Sequence, residues 1–577
     1  MEVRSQHFRV LTNGNLGDAR HVAHEFEQMR YVCARLFPNF HLDSGAPLLI
    51  FAVRDEQTAK ALEPRLWAMR GVKPAGEFHH SWERQYVMVR LDSAGVNVRA
   101  IVYHEYIHSI LHMNAHWLPV WLDEGVAELY AYTLFESHQV YVGAPTQRVR
   151  ELRGRPIPVE TLLTVDRSSP YYHDLDKVPM FYAESWALVH YMTFGPGMGG
   201  GARFNQFYNK LQDGVPQQQA FQQVFGSPAD MDRALDQYMQ HFAFHAAVLQ
   251  DPPQINEKTF ATRTLTLAET DAELGGFHLW THDLAGARPL IAQALQQDAK
   301  LGLAHEENGF LLFGDGNDAA AEEEFTQACA LDPSLYLALF AQTMLSPAAT
   351  STTPGAEAEF HAALVKVVDL NPQFAPAYVQ LARLSLLQND PGTAFSYSRR
   401  AEKLEPWRAG YHLLSGEILL RMGKGSEAAD FAKFVADHWS GPDHNEAVEL
   451  WNRIPAAQRP AGVVLSESAV NNSEEAKGTV SSVSCTPGKR LTFALAQDGR
   501  QLTFRYEGPF AMGFSDTLWY GEDHFSLCHH LEGMRAVVHY RPAANASYAG
   551  DLVEIELRQD APAPNGPSGG SAAAAQP

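Results

Sequence analysis

Apolar positions recur at two different periods along this chain, and the places where the period changes divide it. His7–Thr12, Leu48–Val53 and Gln85–Leu91 are short alternating or continuous apolar runs that predict strands. Asp18–Leu36 and Asn97–Met113 instead carry apolar residues at helical spacing, with no Pro or Gly inside them. Pro119 suits the first turn of a further helix, and Pro179–Thr193, Ala202–Leu211 and Asp230–Leu249 also read as helices. From about Leu265 to Arg453 the pattern is helical throughout. After Pro460 it changes again, to Gly478–Cys485, Arg490–Leu495, Gln501–Tyr506, Met534–Tyr540 and Asp551–Arg558, which are alternating and rich in β-branched or aromatic residues. Turn pairs such as Pro487-Gly488 and Asp498-Gly499 separate them, so a small β-sandwich or barrel is expected. The tail after Asp560 has nothing to bury and is expected to be disordered.

The helical middle repeats. Pro372 and Pro406 lie 34 residues apart, each behind a Leu-Asn or Leu-Glu pair, and Leu331-Asp332-Pro333 stands 39 before Pro372. An insertion in the Ser/Thr/Pro/Ala-rich stretch Ser346–Ala356 accounts for the extra five. Ala287, Ala321, Ala394 and Ala428 recur at 34, 73 and 34, and Gly275, Gly309, Ala382 and Gly416 precede them by twelve, where two antiparallel helices come closest. Tyr378, Leu381, Phe325 and Ala401 fall at other core positions. Thirty-four is the tetratricopeptide period, and residues 262–455 resemble a solenoid of about five such hairpins. The resemblance implies a groove that takes a protein partner.

Candidate chemistry sits in the first region. His104-Glu105-Tyr106-Ile107-His108 places two imidazoles four positions apart on one helix face, so both can reach one zinc ion. Glu105 is rotated off that line and can take a proton from water at the metal. Glu124 follows His108 by sixteen positions, inside the next helix, and can face the histidines as a third ligand that leaves a fourth position open. His112 and His116 extend the four-residue ladder and leave another ligand set open. Glu128, one turn past Glu124, is placed to accept a hydrogen bond from a ligand imidazole. The strand Gln85–Leu91, just before the metal helix, is positioned to pair with an extended peptide substrate.

His104-Glu105-x-x-His108 with Trp121-Leu122-Asp123-Glu124-Gly125-x-Ala127 resembles the gluzincin zinc peptidases. The resemblance covers about the first 250 residues and implies His104, His108 and Glu124 as zinc ligands, with Glu105 as general base. Phe181-Tyr182-Ala183-Glu184-Ser185-Trp186 is similar to the helix on which gluzincin aminopeptidases carry an oxyanion-stabilising tyrosine, which implies Tyr182 in that role. Two departures stand out. No Gly-x-Met-Glu-Asn strand occurs between Gly76 and Val98, so aminopeptidase specificity is unsupported, and Asn114 stands where a metzincin would carry its third histidine.

The expected architecture is multidomain. An α+β gluzincin-like metallopeptidase domain over 1–250 is followed by an all-α tetratricopeptide solenoid over 262–455, a small all-β domain over 463–559 and a disordered tail over 560–577. The expected function is hydrolysis of a peptide or protein substrate with zinc as cofactor. The competing expectation is a catalytically inactive metal-binding domain on a protein-interaction scaffold.

Charge narrows the partners further. With 45 Lys and Arg against 67 Asp and Glu, the formal charge is −22 and no basic run appears, which disfavours nucleic acid. No apolar stretch is long enough to span a membrane, and no cationic-then-apolar leader opens the chain, so a soluble protein is expected. The chain begins almost inside a strand, which leaves an export signal upstream of the given start an open expectation. Cys33 and Cys329 lie in apolar helical settings that suit buried free thiols. Cys485 and Cys528 share the β region and could pair in an exported protein.

Overall fold

A computed structural model describes residues 1–64, 67, 75–80, 83–93, 96–136, 138–145, 152, 157–166, 169–173, 177–240, 244–250, 252–281, 283–315, 317–349, 353–439, 441–466, 474–486, 490–497, 500–507, 531–543 and 548–558. The first region is built on a six-stranded sheet of β1 (Glu2–Arg4), β2 (Arg9–Thr12), β3 (Leu48–Val53), β4 (Gly76–His80), β5 (Gln85–Arg90) and β9 (Ala261–Arg263), in the order β4-β5-β3-β2-β1-β9. β2, β3 and β5 run parallel, and β4, β1 and β9 join antiparallel.

The parallel strands are apolar on both faces, and alternation sends their side chains to two different places. Val10, Ile50, Ala52 and Val87 enter one core with α1 (Leu16–Leu36), α3 (Val96–His112), α4 (Val120–Ala131) and α5 (Val178–Phe194). Leu11, Leu49, Phe51, Tyr86 and Met88 point the other way, onto α2 (Glu56–Leu62) and onto Phe277 of the first solenoid helix. One sheet therefore serves both regions. The expected break between residues 250 and 262 is bridged, because β9 joins the sheet edge immediately before the helical repeats begin.

Two expectations are corrected, one of a helix and one of a strand. Asp230–Leu249 is not one helix: the helix spans Pro228–Gln240, and Ala247–Gln250 forms β8, paired with β7 (Gln139–Val142), whose other neighbour is β6 (Leu134–Phe135). The alternating Ala-Val-Leu-Gln run finds a strand partner there, which overrides helical continuity. The strand β5 lies between β4 and β3, so its backbone is already paired on both sides. The strand edge beside α3 is β4, which pairs with β5 alone among the described residues.

Five helical hairpins follow: α6 (Leu267–Trp280) with α7 (Leu284–Gln297), α8 (Gly302–Gly314) with α9 (Asp318–Leu331), α10 (Tyr336–Leu345) with α11 (Pro354–Leu370), α12 (Ala375–Leu387) with α13 (Pro391–Leu404), and α14 (Ala409–Arg421) with α15 (Gly425–His438). A single helix, α16 (Pro442–Arg453), closes the array. The second helices of the first four hairpins open on Asp283, Asn317, Thr353 and Asp390, whose side chains accept from backbone N–H groups that the helix leaves unpaired. Small residues sit at the helix crossings as the spacing requires. A Cβ on Gly275 would lie 2.6 Å from Ile291, and one on Gly309 2.6 Å from the Phe325 ring.

The solenoid packs against the first region of its own chain. The Tyr336 hydroxyl and the Asn371 amide both donate to the Gly45 carbonyl, at 3.1 and 2.8 Å. Arg9 and Arg84 form ion pairs with Glu273 and Glu306, and the rings of His116 and His412 meet edge-on at 5.6 Å.

The last unit is a closed five-stranded barrel, β10 (Glu474–Thr486), β11 (Arg490–Gln497), β12 (Arg500–Glu507), β14 (Gly550–Arg558) and β13 (Arg535–Pro542), around Val480, Phe493, Leu495, Phe504 and Val538. Both turn pairs, the Cys485–Cys528 pairing and the tail 560–577 lie outside the described residues and side chains. Cys33 is a buried free thiol whose pKa burial pushes up to about 12, whereas Cys329 is only half-buried. Among the described residues, no helix is long and apolar enough to cross a membrane.

Candidate metal centre

The centre forms where α3 meets α4. Asn114 fixes the turn between them: its amide donates to the His41 and Ile110 carbonyls, and its oxygen accepts from His41 N–H, all at 2.8 Å. That is the work of the residue standing where a third histidine would serve a different metallopeptidase pattern. Trp121, fully buried, anchors α4 by stacking on Phe207. Behind α4 runs α5, and Gly125 is where they cross: a Cβ there would fall 2.5 Å from the Ser185 carbonyl oxygen and 2.6 Å from Val189. Glycine at this position lets α4 sit deep enough for its neighbour Glu124 to reach the histidines.

His104, His108 and Glu124 converge. His104 Nε2 lies 3.1 Å from Glu124 Oε2 and 3.0 Å from His108 Nε2, and His108 Nε2 lies 3.3 Å from the same carboxylate oxygen. Donors bonded to one tetrahedral ion at about 2.0–2.1 Å stand about 3.3 Å apart, so the triangle has the size that zinc requires. Its chemistry fits as well. The other nitrogen of His108, Nδ1, faces Asp123 Oδ1 at 2.9 Å, and if it carries the proton there, Nε2 presents a lone pair to the triangle. The second Glu124 oxygen accepts from the Tyr172 hydroxyl at 3.0 Å, which leaves Oε2 for the ion.

Burial and charge agree with a cation site. Asp123, Glu124 and Glu128 are each no more than 4% exposed. Burial alone would raise the Glu124 carboxyl, but hydrogen bonds to His104 and His108 outweigh it and hold the pKa down to about 2. Asp123 is held well below the carboxylate range, against burial, by His108 and His112. Burial opposes charge on His108 too, yet Asp123 and Glu124 raise its pKa well above the imidazole range. Three carboxylates face three imidazoles, so with the imidazoles neutral the cluster carries a net negative charge, which suits a dication.

The remaining candidates separate. Glu105 follows His104 on α3, partly exposed. It stands close enough to Glu77 of β4 to help raise that carboxyl, after burial as the main cause. The Tyr182 ring, on α5, lies 6.0 Å from the His104 ring at 83°. Glu128 Oε1 stands 3.6 Å from His104 Nδ1. His112 belongs to a second close group with His108 and Asp123, its Nε2 3.0 Å from Asp123 Oδ2. That group uses the nitrogen of His108 that faces away from the triangle. His116 packs on His412 and belongs to neither group found among the described residues.

Two contributors escape the sequence reading. Asp123 stands inside the quoted motif, and its helical rotation away from Glu124 is the signal that could have shown it turned toward His108 and His112. Tyr172 carries no such signal, because a short helix, Pro170–His173, brings it in from far along the chain.

No family model matches the sequence, and no curated protein matches it. Solved structures similar to part of it include a thermophilic TPR protein from Thermus thermophilus, at 17% identity over 32% of this chain and 97% of that one, TM-score 0.26. PilF of Pseudomonas aeruginosa is similar at 17% identity over 33% of this chain and 82% of its own, TM-score 0.28. PilW, a type IV pilus biogenesis factor, is similar at 18% identity over 32% and 98%, TM-score 0.26. The repeat architecture described above rests on the helix pairs themselves.

Proposed function

We propose that the chain is a zinc-dependent peptidase of gluzincin type whose repeat solenoid is built onto the peptidase region. Three donor atoms within 3.0–3.3 Å of one another, on His104, His108 and Glu124, carry the assignment. A zinc ion held there would bring the pKa of water toward neutrality and polarise the scissile carbonyl. Glu105 accepts the proton of the attacking water and returns it to the leaving amine. Tyr182 donates its hydroxyl to the oxygen on which negative charge develops. Tyr172 keeps Glu124 oriented. An extended substrate adds to the sheet along β4, whose outer backbone groups offer main-chain hydrogen bonds without demanding a particular sequence.

The test separates metal from chemistry. The purified chain should hold about one zinc, and His104→Ala or Glu124→Ala should lose it. Glu105→Gln should keep the metal while hydrolysis of a denatured protein falls by about 10²–10⁴-fold. Tyr182→Phe should lower kcat with KM nearly unchanged, and an unchanged kcat removes Tyr182 from the chemistry. Zinc bound without turnover by either the parent or Glu105→Gln would make the centre structural, and the chain an interaction protein.

A further inference from the structure

Trp407 belongs to the solenoid, in the short connection between α13 and α14, yet it packs against the main core of the first region. Among the described residues it is the one apolar side chain of the repeats grouped with that core, while His438 meets Trp117 at its edge with ring centroids 4.5 Å apart. Its indole lies flat on the His112 imidazole, with ring centroids 4.0 Å apart and planes at 19°. His112 Nε2 bonds Asp123 Oδ2 at 3.0 Å, and Asp123 Oδ1 bonds His108 Nδ1 at 2.9 Å. A continuous chain of contacts thus runs from a repeat loop to one of the three donors of the metal triangle.

Each link restrains the next. Asp123, 4% exposed, has both oxygens committed to imidazoles, so its plane is set by His108 and His112 together. His112 has a free face toward the solenoid, and Trp407 covers it. Without a flat partner, the His112 ring can turn about its side-chain bonds and Asp123 loses one of its two restraints. The orientation and tautomer of His108 then loosen. Leu404-Glu405-Pro406, directly before Trp407, is one of the repeating Leu-x-Pro connections. The geometry points to Trp407 as a positioning residue for His108, which makes the solenoid a structural part of the metal centre.

This inference rests on the proposed zinc site, and its test reads metal affinity rather than turnover. Zinc dissociation constants are measured by competition with a chromophoric chelator for the full chain and three variants. Trp407→Leu keeps an apolar side chain but cannot stack, and should bind zinc about tenfold more weakly. Trp407→Phe restores a flat ring and should stay within about threefold of the parent. Tyr336→Phe breaks a different contact between solenoid and first region, the bond to Gly45, and should leave zinc affinity unchanged. Cobalt(II) in place of zinc gives a second readout, with visible bands displaced in Trp407→Leu and not in Trp407→Phe. Parent-like affinity in Trp407→Leu, or an equal loss in Tyr336→Phe, overturns the inference alone. A parent chain that takes up no zinc overturns the metal assignment, and the inference with it.

Discussion

Two clusters of buried carboxylates lie in this molecule, and they are built on opposite principles. At the α3–α4 junction, Asp123, Glu124 and Glu128 face His104, His108 and His112. Where the solenoid meets the sheet, Glu273, Glu306 and Glu307 face Arg9 and Arg84. The guanidinium groups carry permanent charge, so the protein itself supplies the cations of the second cluster. Imidazoles can shed their protons and offer lone pairs, so the first leaves the cation to be supplied. The carboxyl pKa values diverge accordingly. Glu124 is held down to about 2 because its hydrogen bonds outweigh burial, whereas Glu307 is raised because burial outweighs Arg84 and a second carboxylate, Glu306, shares that arginine. Burial of acid groups does not by itself mark a functional site; the partner decides.

The comparison breaks most directly at Arg84. Arg84→Met leaves Glu306 and Glu307 buried without their cation, and such a loss costs about 3–5 kcal/mol of stability. Denaturant unfolding of the full chain measures it, and adding Glu306→Gln and Glu307→Gln should recover most of the loss. A cost below about 1 kcal/mol would mean that the second cluster is not a lock between the two regions.

Each cluster also depends on a glycine, and the two should respond unequally. A Cβ on Gly125 meets the Ser185 carbonyl oxygen at 2.5 Å, which is backbone in the middle of α5, whereas one on Gly276 meets the carboxylate end of Glu307 at 2.8 Å. Backbone cannot swing aside, so Gly125→Ala should cost about 2 kcal/mol by overpacking and weaken zinc binding as Glu124 is pushed out of place. Gly276→Ala should cost about 1 kcal/mol, because a side-chain terminus can shift. Melting of the two variants side by side is the measurement, and equal losses would contradict the distinction.

The same contrast explains what could be seen in the sequence. The repeats are legible because a hairpin contacts its neighbours, so a packing demand such as that at Gly275 or Gly309 reappears at a fixed spacing. His104, His108 and Glu124 are legible because a helix turns four residues of spacing into one face, and because α3 and α4 are consecutive. Contacts between distant segments leave no such trace. Nothing periodic announces that Tyr172 reaches Glu124, that Phe51 and Tyr86 meet Phe277, or that Trp407 covers His112. Gln85–Leu91 is legible as a strand but not as an interior one. Its edge neighbour β4, Gly-Glu-Phe-His-His, has too little apolar alternation to read as a strand from sequence.

The finest distinction between the clusters is their response to pH, and Glu307→Gln isolates it. Glu307 has a raised pKa in the folded chain, so the folded protein keeps a proton there at pH values where the unfolded chain has already released it. The stability tied to that proton is complete below the ordinary glutamate range and is lost as pH climbs toward the folded-state value. Glutamine has no proton to lose and still offers an oxygen to the Trp280 indole N–H, which donates to Glu307 Oε2 at 3.0 Å. Near pH 5 parent and variant should therefore unfold at nearly the same denaturant concentration. Toward pH 8.5 the variant should become the more stable by a few kcal/mol, because each pH unit between the two ranges removes about 1 kcal/mol from the parent. A difference that stays flat from pH 5 to 9 would mean that Arg84 keeps Glu307 ionised throughout. The second cluster would then be ion-paired at every member, and the contrast with the metal centre would rest on the type of cation alone.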